Sequence, residues 1–312
     1  MCTSVRFSDK KGNMFFGRNL DWVTGFNENI IVTPRGYKNT KYAVIGMGII
    51  EDNTPLYFDC GNEAGLAIAG LNFPDYAKYE ETEVNDKTNI PAYIFPLYIA
   101  SHFATVDEVE QALPSIAILN KAINDKYPVS MLHWMIGDGK RSIVVEYTQN
   151  GMEVFKNSVD VLTNQPGYNW HKENLRNYMN IFGAEVEKIK WGKAELTPFG
   201  TGSLMRGIPG DYYSPSRFVR VAYLNTHYPT KETEEENISR LFHTLSSVAM
   251  IDGAAAMADG KFEKTIYTGG FSAASKTYYW NTYEDLSIKS VRLSDFDINS
   301  SELAEFKIGN VI

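Results

Sequence analysis

Cysteine is scarce. Only Cys2 and Cys60 occur in 312 residues, which excludes a disulfide framework and fits a reducing compartment. Histidine is nearly as sparse. His102, His133, His171, His227 and His243 are scattered, and no C-x-x-C or H-x-x-x-H pair occurs, so no metal site is expected. No G-x-x-x-x-G-K-[ST] loop is present. The stretch Gly200–Gly207 is glycine-rich but has neither dinucleotide spacing nor a strand leading into it, and it reads as an ordinary loop. No cofactor is therefore expected. Basic residues do not cluster, and the formal net charge is −8 with a pI near 5.3. That argues against nucleic-acid or anionic-membrane partners. Long apolar runs are missing too. The most apolar stretch, Ile90 to Ala104, is broken by Pro91, Pro96 and His102 and is too short to span a bilayer. Charges from Arg6 to Asp21 interrupt any leader-like segment. A soluble cytoplasmic protein is the expectation.

What remains is 44% hydrophobic and 13% aromatic, ample for one large core. Without a Pro/Ser-rich linker or a repeat, residues 1–312 read as a single domain. Strand-like runs fill the first 72 residues: Cys2–Phe7, Met14–Arg18, Ile30–Thr33, Tyr42–Ile50, Leu56–Cys60 and Leu66–Asn72. Helical patterns follow at Ile94–Phe103 and behind Thr105, the expected N-cap of a helix stopped by Pro114. Strands return at Met131–Ile136, Ser142–Tyr147, Gly151–Phe155 and Val159–Asn164. Helices are expected at His171–Met179, Ser216–Leu224 and Glu234–Met250, then strands at Thr265–Thr268, Lys276–Thr282 and Ser287–Arg292. This order predicts an α+β sandwich of antiparallel sheets with helices outside.

The first twenty-one residues carry the chemistry. Cys2 follows Met1, and cysteine is small enough for that Met to be clipped. Clipping leaves a thiol and an α-amine on one residue, and an amine of pKa about 7.7–8.0 can serve as a base. The turn at Asp9–Asn13 folds the second strand back. Arg18 could then act on the thiolate and Asp21 on the amine. Taken alone, such a cysteine reads first as a small buried hydrophobe. A Cys/His pair through His133 stays open, although a His inside Leu132–Trp134 is more often packed and satisfied. Cys60 is assigned to a core.

Nine segments in register change that weighting: Met1–Thr3, Phe16–Asp21, Asn62–Gly65, Ala69–Pro74, Leu132–Trp134, Ser142–Glu146, Val161–Asn164, Gly207–Gly210 and Ser216–Phe218. Together they resemble the choloylglycine hydrolase family of N-terminal-nucleophile hydrolases, nearer its Gram-positive bile salt hydrolases than its penicillin V acylases. The resemblance implies a four-layer αββα sandwich, a homotetramer and hydrolysis of glycine- or taurine-conjugated bile salts. It also implies roles. Cys2 is nucleophile, Asp21 orients its amine, Arg18 and Arg217 lie near the sulfur, and Asn72 and Asn164 hold the oxyanion. Substrate-contacting loops fall at Leu20, Trp22, Phe26, Phe58, Ile123, Tyr127 and Leu132. Penicillin V acylases tend to carry Tyr where Asn72 stands, which favours bile salts. Two alternatives remain: an acylase for penicillin V or other N-acyl amides, and a catalytically silent bile-salt-binding protein.

Overall fold

The computed structural model describes residues 1–184 and 186–309. Six strands open it: β1 (Cys2–Ser8), β2 (Met14–Trp22), β3 (Asn29–Thr33), β4 (Val44–Glu51), β5 (Thr54–Asn62) and β6 (Ala67–Asn72). Next come β7 (Thr88–Pro91), α1 (Phe95–His102), α2 (Val106–Ala112) and β8 (Ile116–Leu119). A third group holds β9 (Leu132–Gly137), β10 (Ser142–Thr148), β11 (Gly151–Lys156), β12 (Val161–Leu162) and α3 (Tyr168–Asn174). The chain continues through β13 (Ile189–Trp191), β14 (Ala194–Leu196), α4 (Ser214–His227), α5 (Glu234–Ser246) and β15 (Ala255–Ala256). It closes with β16 (Phe262–Ser272), β17 (Thr277–Thr282), β18 (Lys289–Arg292) and β19 (Ala304–Phe306).

Two antiparallel sheets result. One runs β12-β1-β2-β16-β17-β18, with β15 on β16, and the other β11-β10-β9-β6-β5-β4-β3-β19. Strand period two sorts side chains between faces. On β9 and β10, Met135 and Val144 point between the sheets, while Trp134, Ile136, Ile143 and Val145 join the outer core under α1 and α2. On the first sheet, Leu241 and Leu245 of α5 pack over β2 and β16. The layers are helix, sheet, sheet, helix, as expected.

Hairpin β1–β2 pairs Cys2 with Leu20 and Ser4 with Arg18. Thr105 caps α2, its side chain accepting from the Glu108 amide. Several bounds differ from the sequence reading. β16 runs well beyond Thr265–Thr268, because Gly269 and Gly270 continue the strand rather than break it. A Cβ on Gly269 would run into the Tyr278 hydroxyl, and one on Gly270 into Leu241. α3 starts at Tyr168, three residues before the expected start at His171. α5 stops at Ser246, before Met250. Strand β12 keeps only two residues of Val159–Asn164. No helix among the described residues is long and apolar enough to cross a membrane.

Candidate active site

β1 and β2 place Cys2, Arg18 and Leu20 on the face turned toward the second sheet, because Cys2 and Ser4 pair with Leu20 and Arg18. Arg18 is buried, and all three nitrogens of its guanidinium donate. Nη2 donates to Cys2 Sγ at 2.7 Å. Nη1 donates to the Phe58 and Gly70 carbonyls, both at 3.1 Å, and Nε to Asn19 O at 3.3 Å. Burial alone would lower its pKa, but the Cys2 sulfur, Tyr267 and Asp59 raise it above its ordinary value. A permanent cation thus meets the sulfur.

Asn164 lies two residues past β12 and holds the other side of Cys2. Its Oδ1 accepts from the Cys2 amide at 2.7 Å and from Arg217 Nη2 at 2.8 Å. Its Nδ2 donates to the Asn72 carbonyl at 2.6 Å, which joins the ends of β6 and β12. Arg217 sits in the first turn of α4. Its Nη1 donates to the Cys2 carbonyl at 2.5 Å and to Thr3 Oγ1 at 2.6 Å. It therefore grips the backbone of Cys2 and the amide of Asn164, whereas the guanidinium on the sulfur is that of Arg18. Burial lowers Arg217, and nearby Asp21 and Cys2 oppose the shift.

Asp21 lies one residue beyond the Cys2–Leu20 pair. Its amide donates to Met1 O at 2.8 Å, and its carbonyl accepts from the Met1 ammonium at 2.6 Å. Thr265 donates to Oδ1 at 2.6 Å. Oδ2 is buried without a partner, an open acceptor on the rung beside Cys2. With Met1 in place, the Cys2 nitrogen turns to Asn164.

The structure gathers all six expected residues, and it adds others. Glu263 meets the Met1 ammonium at 3.0 Å. Ser214 Oγ accepts from the Asn164 amide at 2.9 Å. His171 Nε2 lies 2.9 Å from Asn164 O. Burial lowers His171 to about 4, so it is neutral at neutral pH and donates through that nitrogen. His133 lies 2.8 Å from Thr163 O and 3.2 Å from Glu146 Oε1, stacked on Phe73. It is the packed, satisfied histidine, and both its ring nitrogens are occupied away from Cys2.

Of the expected substrate contacts, Trp22, Phe26 and Phe58 form a ladder with ring centroids 6.4 and 5.3 Å apart. Leu20 joins it on the same face of β2 as Trp22, and Leu132 pairs with Asn72. Ile123 and Tyr127 occupy a loop tied through Asn124 and Lys126 to Glu51 and Asp52, and no aromatic pairing joins Tyr127 to Phe26 or Phe58 among the described residues.

Residues 2–306 match the model of the linear amide C–N hydrolases, choloylglycine hydrolase family. The chain is 53% identical to a bile salt hydrolase/transferase of Bifidobacterium longum subsp. longum, over 97% of this chain and 98% of that one. It is 43% identical to a conjugated bile acid hydrolase of Lactobacillus acidophilus, over 98% and 100%. The crystal structure of the C2A conjugated bile acid hydrolase from Clostridium perfringens superposes with a TM-score of 0.94 at 37% identity, covering 99% of this chain and 97% of the other.

Proposed function

The chain belongs to the choloylglycine hydrolase family, and on that footing we propose that it hydrolyses the amide bond of glycine- or taurine-conjugated bile salts. The observation that carries this reading is the 2.7 Å contact between Arg18 and the Cys2 sulfur. The mechanism needs Met1 removed. The Cys2 amine then takes the thiol proton and the sulfur attacks the substrate carbonyl. The Asn164 side-chain amide and the Asn72 backbone N–H hold the oxyanion. The ammonium of Cys2 next protonates the departing glycine or taurine nitrogen, and water cleaves the thioester. Two acceptors suit that ammonium: Asn164 Oδ1, already on the Cys2 nitrogen, and the unpartnered Asp21 Oδ2. Arg217 fixes Cys2 and Asn164 relative to each other. Leu20, Trp22, Phe26, Phe58 and Leu132 supply apolar surface for a steroid.

We take residues 1–312 as one catalytic domain, in keeping with the family match over 2–306. The cytoplasm suits two unpaired thiols. We also propose a homotetramer. Exposed Phe182, Trp191 and Phe199 give the segment around β13 and β14 an apolar surface of the kind subunit contacts bury. Light scattering that returns a monomer would overturn it.

The test of function assays glycocholate, taurocholate and penicillin V in parallel, with hydroxylamine as trap and intact mass measured on the same enzyme. The expected result is release of glycine or taurine by a chain lacking Met1, with an acyl hydroxamate formed only when Cys2 is present. Turnover by a chain that keeps Met1 overturns the mechanism. Preference for penicillin V overturns the substrate, and binding of glycocholate without release of glycine overturns catalysis.

A further inference from the structure

Asp59 of β5 is buried between the sheets and has no part in the steps above. Its Oδ1 accepts from the Tyr267 hydroxyl at 2.5 Å and its Oδ2 from the Tyr278 hydroxyl at 2.6 Å. Burial pushes both phenols well up, so each keeps its single proton to donate. Two phenol donors, one on each oxygen, suit a carboxylate, which accepts on both and has no proton of its own to place. Burial lifts the Asp59 carboxyl above its ordinary value, and Arg18 and the two hydroxyls limit the rise.

A buried anion needs a cation, and the one that acts on it, without a direct ion pair, is Arg18. The Arg18 Nη1 donates to the carbonyl of Phe58, the residue immediately before Asp59, at 3.1 Å. Its guanidinium carbon lies 6.0 Å from the Tyr267 ring centroid. The same guanidinium holds Cys2 Sγ. One positive charge therefore serves two acidic groups.

We propose that Asp59, held by Tyr267 and Tyr278, is the resident counter-ion of Arg18 and hence a positioning residue for Cys2. This rests on Cys2 as the nucleophile. With Asp59 ionised, the Arg18 charge is already balanced. Less of the guanidinium's charge then falls on the sulfur, which gains negative charge as its own amine takes the proton. The groups facing Asp59 are Arg18 from β2, Tyr267 from β16 and Tyr278 from β17. Glu28, just ahead of β3, acts on Tyr267, and Cys60 on the same strand points to the opposite face. The charged groups around Cys2 are Arg18, Asp21, Glu263 and, through its carbonyl, Arg217.

The test is Asp59→Asn in the Met1-free enzyme. It reads the pH midpoint of Cys2 alkylation by iodoacetamide from the mass of the N-terminal peptide, which separates Cys2 from Cys60. Without the competing anion, the Arg18 charge falls on the sulfur. The midpoint should drop by about one pH unit, making alkylation about tenfold faster on the acid limb. An unchanged or higher midpoint overturns the proposal. If Asp59→Asn does not fold, Tyr278→Phe removes one donor and should shift the midpoint the same way, by about threefold in rate; no shift again overturns it. A purely structural role would lower the melting temperature and turnover and leave the midpoint in place. Alkylation is read without turnover, so failure here is distinct from failure of Cys2→Ala to abolish activity.

Discussion

The two cysteines are equally hidden and chemically opposite. Cys2 is 6% exposed and Cys60 2%. Cys60 lies in the outer core beneath α1, its sulfur 3.9 Å from the Pro96 carbonyl. Burial, with Asp59 adding to it, pushes its thiol well up. Cys2 faces between the sheets and meets a guanidinium. Burial alone therefore does not decide reactivity. The polarity of the strand face does, and strand period two sets the face.

Three substitutions probe that contrast, in order of decreasing effect. Cys2→Ala should remove turnover, by about 10⁶-fold as for other lost nucleophiles, while circular dichroism shows an unchanged fold. Residual turnover close to wild type would take Cys2 out of the chemistry. Asn164→Ala removes the proposed oxyanion donor and should cost about 10²–10³ in kcat; a change confined to KM would reassign Asn164 to substrate binding. Cys60→Ala should leave kcat/KM intact and cost about 1 kcal/mol of stability, measured by urea denaturation. Under native conditions iodoacetamide should label Cys2 and spare Cys60 until the fold opens. Labelling of both at similar rates would erase the distinction.

Alternation and turn chemistry made most of both sheets legible, since most strands there bury at least one face; β15 and β19, which bury no residue, were not. The hairpin carrying Cys2 and Arg18 was readable from the Asp9–Asn13 turn. β13 and β14 were not, because every residue in them is exposed and no alternation marks them. β7 and β8 form a short parallel pair, which no local turn announces. Arg18 and Asp21 were legible because the fold-back at Asp9–Asn13 brings them beside Cys2. Glu263, Thr265 and Tyr267 were not, because their place depends on the register of β16 against β2. Those two strands lie far apart in the chain, with no hairpin turn between them to fix the register. The clamp of Ser214 and His171 on Asn164 needs α3 and α4 docked together, which is again tertiary information.

Arg18 reaches across the middle of the sandwich, from β2 to the carbonyls of Phe58 on β5 and Gly70 on β6. The group that steadies the sulfur is thus also a rivet between the two sheets. Cys2 and Arg18 stand on neighbouring strands of one sheet, so a parting of the sheets spares their contact but takes from the guanidinium the two carbonyls that aim it. The aim of the charge at the nucleophile thus depends on a sheet to which the nucleophile does not belong.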